Sequence, residues 1–83
     1  MTIPELLKHI KRYQACDRVV VLWKSDSHVL VLCGWGRWLT DQTAALYRVD
    51  GMVHKSYGYV SSTGEVDRAV TNAISVAREE ILI

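Results

Sequence analysis

The sequence predicts an α+β fold: a four-stranded antiparallel β-meander flanked by an N-terminal and a C-terminal helix, in the order α-β-β-β-β-α. Three observations predict it. Apolar residues recur with helical spacing at both ends of the chain. The middle is built of β-branched and aromatic runs. Turn-forming clusters separate those runs at the spacing of hairpins.

The first helix opens at T-I-P-E. Thr2 is suited to cap it, Pro4 is tolerated in the first turn, and Glu5 completes a capping-box pattern. Ile3, Leu6, Leu7 and Ile10 fall on one helical face, with Lys8, Lys11 and Arg12 away from it. The helix is expected to end near Gln14.

R-V-V-V-L-W-K, Arg18 to Lys24, reads as a strand. S-D-S, Ser25 to Ser27, is turn chemistry. H-V-L-V-L-C, His28 to Cys33, is the second strand, paired with the first as a hairpin.

C-G-W-G-R-W follows, Cys33 to Trp38. Glycine inside a strand pattern marks a bulge, a bend or a close backbone approach. The expectation is a second strand kinked around Trp35 that resumes at Arg37-Trp38-Leu39. The bend aims Trp35 and Trp38 outward, or else one of them enters the core. T-D-Q, Thr40 to Gln42, makes a turn.

The third strand is expected from about Thr43 to Val49. A short helix over Asp41–Arg48 competes with it, because D-Q-T-A-A-L-Y-R has fair helix propensity. Asp50-Gly51 favours the strand, being a strong two-residue hairpin signal. The fourth strand then runs from Met52 to about Val60. That turn sets Val49 opposite Met52, Tyr47 opposite His54 and Ala45 opposite Ser56. S-S-T-G-E, Ser61 to Glu65, is a loop. The last helix is expected from about Glu65 to Leu82, with Val66, Val70, Ala73, Ala77 and Ile81 on one face and Ile74 beside them. The I-L-I tail reads as the docked end of this helix or as an apolar tip for a partner.

At 83 residues, 1–83 reads as a single compact domain, and 49% hydrophobic residues suffice for a core. Cys16 and Cys33 make no disulfide framework, which points to reduced thiols and a cytoplasmic protein. Pro4, Glu5 and Lys8 interrupt any apolar leader, and no apolar run reaches the ~20 residues of a membrane helix. The net charge of +1 disfavours both a strongly acidic DNA mimic and a non-specific nucleic-acid binder. Residues 1–60 nevertheless carry +3 and residues 61–83 carry −2, so the first part is modestly basic.

Catalytic equipment is not legible, and the chain is expected not to be an enzyme. G-W-G lacks a phosphate-loop pattern, so no nucleotide cofactor is expected. His9, Cys16, His28, Cys33 and His54 show no metal-ligand spacing; His28 and His54 read as surface or edge residues. Ser25, Asp26 and His28 are neighbours in a turn without the relay geometry of a triad, and a Cys33–His54 pair is discounted because Cys33 reads as buried.

The first hairpin carries a surplus of apolar surface. Val19, Val21 and Trp23 point one way and Val20 and Leu22 the other, and the second strand repeats this. Four strands span roughly 19 Å, so two helices cover that width about once. Either both helices lie on one face, or they are split and each face is half covered. A partner is expected to take the remainder: a different protein or a second copy in a homodimer. The expected function is a small stand-alone protein–protein interaction module. It acts by occupying a surface, as adaptor, accessory subunit or stoichiometric inhibitor, a role common among proteins of this size from phages and mobile elements. The alternative is nucleic-acid binding by an aromatic and basic sheet face. That face is expected to hold Leu46, Arg48, Val53, Lys55, Tyr57 and Tyr59. The candidate contact residues are Trp35, Arg37 and Trp38, then Arg48, Lys55, Tyr57 and Tyr59, of the types that dominate binding hot spots.

Overall fold

The structure is a computed structural model that describes residues 2–36 and 42–82, with side chains through Glu79. The elements are α1 (Ile3–Gln14), β1 (Arg18–Lys24), β2 (His28–Gly34), β3 (Gln42–Arg48), β4 (Val53–Tyr59) and α2 (Thr63–Leu82). The strands form one antiparallel sheet in the order β1-β2-β3-β4. This is the α-β-β-β-β-α meander that the periodicity predicts. Residues 42–48 are strand, so the competing helix over that stretch is excluded. Among the described residues, no helix is long and apolar enough to cross a membrane.

Thr2 caps α1 as expected, its hydroxyl accepting from the Glu5 N–H at 3.3 Å. The helix ends at Ala15, which takes the left-handed conformation at φ 53°. Leu6 and Ile10 bury the apolar stripe. α2 starts two residues earlier than expected. Ser62 accepts from the Glu65 N–H at 3.2 Å, and Glu65 reaches back to the Ser61 N–H at 2.8 Å. This is a variant of the reciprocal cap, hidden in what reads as a loop.

The two helices lie on opposite faces of the sheet, which decides between the two expected arrangements. Leu6 and Ile10 of α1 pack with Val29, Val31, Cys33, Ala45 and Tyr47. On the other face, Ala73 of α2 packs with Leu30 and Leu46, while Ala69 packs with Ala44 and Val60. The small residues at 69, 73 and 77 let the α2 backbone approach the sheet closely. Fully burying a Leu or Val contributes about 1.5–3 kcal/mol. Central strand β2, buried almost throughout, therefore anchors both layers.

The β3–β4 register differs from the expectation. Arg48 C=O accepts from the Gly51 N–H at 2.9 Å, and the Arg48 N–H donates to Met52 C=O at 2.8 Å. The loop therefore has three residues, Val49-Asp50-Gly51, with Gly51 at φ 99°. Asp-Gly serves here as the end of a type I turn with a left-handed glycine, not as a two-residue turn. Tyr47 consequently faces Val53 rather than His54, while Ala45 still faces Ser56. The register shifts between Ala44 and Ala45 and again between Leu46 and Tyr47, skipping past Tyr57 and His54 on β4.

Candidate functional site: the β4 margin

The C-G-W-G stretch closes a corner of the fold. β2 ends at Gly34. A Cβ on Gly34 would land 2.6 Å from Nη2 of Arg18, so only glycine lets the guanidinium lie against this backbone. Arg18 Nη1 donates to Gly36 C=O, and the Gly36 N–H donates to Asp17 Oδ2 at 2.6 Å. The Trp35 indole N–H donates to Ala15 C=O at 3.0 Å, and its ring packs against the α1-side core. Trp35 is thus a half-buried anchor between the end of α1 and the end of β2. The resumed strand over Arg37-Trp38-Leu39, and the contact roles read for Arg37 and Trp38, lie outside the described residues.

Expected as one face, the aromatic and basic set is divided by the β4 irregularities. Val53 and Tyr59 pair with Tyr47 and Thr43, whereas Lys55 pairs with Leu46. Arg48 ends β3, beside His28 in register, with Asp50 3.8 Å away. Lys55 and Tyr57 lean onto α2. Tyr57 OH donates to Asn72 Oδ1 at 2.8 Å, and Lys55 Nζ donates to the same oxygen at 3.2 Å. Lys55 Nζ also stands 5.5 Å from the centroid of the Tyr57 ring, within cation–π range. Burial raises the Tyr57 hydroxyl above its ordinary value, keeping it a proton donor to Asn72.

These contacts line a groove of about 350 Å³ between β4 and α2, bordered by Lys55, Tyr57, Tyr59, Glu65, Arg68 and Asn72. Arg68 and Asn72 lie off the apolar face of the last helix, so the sequence alone does not single them out. Their spacing of four residues on one helical face is the signal that joins them, once the strand that faces them is known.

Beyond the groove, the other side of β4 is open. α1 covers β1, β2 and β3, and its last turn reaches Tyr47, whose hydroxyl accepts from Gln14 Nε2 at 3.0 Å. Val53, opposite Tyr47, is 47% exposed; Tyr59, opposite Thr43, is 74% exposed; Met52 in the hairpin is 66% exposed.

His28 corrects the expectation of a surface histidine. It is buried, on the sheet face that also carries Leu30 and Leu32. Its Nδ1 lies 2.7 Å from Ser27 Oγ, and its ring meets that of His54 edge-on at 5.2 Å. Ser25 Oγ accepts from the N–H groups of Ser27 and His28. The serines thus close the β1–β2 turn. Cys33 lies with Cys16 in the α1-side core, on the face away from His54. Among the described residues, no group of three or more His, Cys, Asp or Glu side chains is arranged to hold a metal ion.

Compared with known proteins, the chain matches no family model, no curated protein and no solved structure.

Proposed function

We propose that this chain is a protein–protein interaction module whose contact surface is the β4 margin. One observation carries the reading. Among the described residues, five large hydrophobic side chains are exposed, and three of them, Met52, Val53 and Tyr59, belong to β4 and its hairpin. They lie where α1 stops short of the fourth strand. Exposed apolar groups spaced along one edge strand, with polar groups beside them, suit a contact surface. β4 also has one free backbone edge, which its irregular register twists out of flat pairing. The module acts by occupying its partner's surface, as adaptor, accessory subunit or stoichiometric inhibitor.

The groove favours a second reading, nucleic-acid binding, because Lys55 and Arg68 line it together with Tyr57 and Tyr59. It is the weaker of the two. The Tyr57 ring is already covered by Lys55, which leaves one tyrosine for stacking where single-strand binders use several. Affinity capture from host lysate, with and without nuclease, separates the readings. A stoichiometric protein that survives nuclease supports the module. Material lost with nuclease, and binding that weakens steeply with salt, replaces it with the second reading.

A further inference from the structure

Cys16 and Cys33 are both free and both buried, at 5% and 2% exposure. They come from elements far apart in sequence that meet at one corner. Cys16 directly follows the C-cap of α1, and Cys33 lies one residue before the end of β2. The two side chains share one buried cluster on the α1 side of the sheet. The backbone on either side is held in place: the Asp17 N–H donates to Gly34 C=O at 2.9 Å, and Val19 pairs with Cys33 in the ladder.

We infer that Cys16 and Cys33 form a dithiol modification site, which a small-molecule disulfide oxidises to one intramolecular disulfide that clamps the end of α1 to β2. The Cys16 thiolate attacks one sulfur of the oxidant. The S–S bond of the oxidant breaks, one thiolate leaves, and a mixed disulfide forms. The Cys33 thiolate then attacks Cys16 Sγ and displaces the second thiolate. The protein loses two thiol protons and two electrons, and the oxidant becomes two thiols. Position sets the order. Cys16 sits at a helix end between exposed Ala15 and Asp17, where local fraying admits a reagent, whereas Cys33 lies inside the sheet. Burial and the neighbouring Cys16 push the Cys33 thiol up to about 12, so the second step quickens as pH rises. The closed loop contains all of β1, so the bond restricts the unfolded chain over that length.

The test holds the reduced, folded chain in oxidised glutathione at mildly alkaline pH, traps it with acid and weighs it intact. The expected product is a monomeric chain lighter by about 2 Da, restored by dithiothreitol. Its thermal midpoint is expected to rise on the order of 10 °C. Cys16→Ala is expected to lose both effects. The inference is overturned if the folded chain keeps free thiols while the urea-unfolded chain closes in the same buffer. Glutathione adducts or intermolecular dimers alone overturn it, as does a midpoint that stays or falls on closure, or either effect persisting in Cys16→Ala.

Discussion

The indole of Trp35 holds the carbonyl of Ala15 at 3.0 Å, and Ala15 is the one non-glycine residue with positive φ among those described. The two facts belong together. The left-handed turn at Ala15 swings the chain from α1 toward β1 and presents the carbonyl that Trp35 grips. A Cβ is disfavoured in that conformation and glycine is not. Ala15→Gly should therefore stabilise the fold by about 0.5–1 kcal/mol, read as a higher urea midpoint with an unchanged slope. A lower midpoint would mean that the exposed Ala15 methyl contributes more than the backbone strain costs.

Asn72 is the acceptor that ties β4 to α2. Asn72→Ala removes the partner of both Tyr57 OH and Lys55 Nζ. These groups are solvent-accessible and water replaces part of the loss, so the cost should be about 0.5–1.5 kcal/mol. Tyr57→Phe alone should cost less. In a double-mutant cycle the two changes should couple, since both delete one bond. Additive effects would place Tyr57 elsewhere in solution.

Much of the fold was legible, and the failures have physical causes. β-branched and aromatic runs bounded by turn residues placed the strands, and helical spacing placed α1 and α2, because each helix buries one face against the sheet. The β3–β4 register was not legible. Asp-Gly serves both two-residue and three-residue hairpins, and only the partner strand selects between them. The error moved Val53 from beside Lys55 to opposite Tyr47 and divided the expected aromatic and basic face. His28 reads as a surface or edge residue because nothing in its sequence neighbours reveals that its ring is buried. Arg68 and Asn72 carry no signal in the sequence alone because the groove needs β4 as its second wall. Trp35 was legible as a residue at a bend, but its bond to Ala15 depends on where α1 ends.

Alkaline pH should weaken the fold. The Cys33 thiol, ordinarily at 9.0, is pushed up to about 12 by burial and by Cys16, and burial also raises Tyr47, which faces Gln14, Tyr13 and the two cysteines. In the unfolded chain the thiol ionises first. The folded state therefore binds more protons between those values, and stability falls as pH climbs above about 9. Urea midpoints at pH 8 and pH 10.5 test this, with the loss smaller in Cys33→Ala. Equal midpoints in the native chain would contradict the buried, protonated thiol.

The central claim is that β4, and not the opposite edge of the sheet, meets the partner. Val53 on β4 and Val20 on β1 are nearly equally exposed, at 47% and 49%. Each tolerates a charge without disturbing the core, so Val53→Asp and Val20→Asp form a matched pair. Quantitative capture from nuclease-treated host lysate with both variants, after equal unfolding midpoints are verified, is the most direct measurement. The account predicts that Val53→Asp loses at least tenfold of the captured protein, which corresponds to about 1.4 kcal/mol or more, while Val20→Asp captures as the native chain does. Retention by Val53→Asp with loss by Val20→Asp would move the contact to β1 and contradict the account.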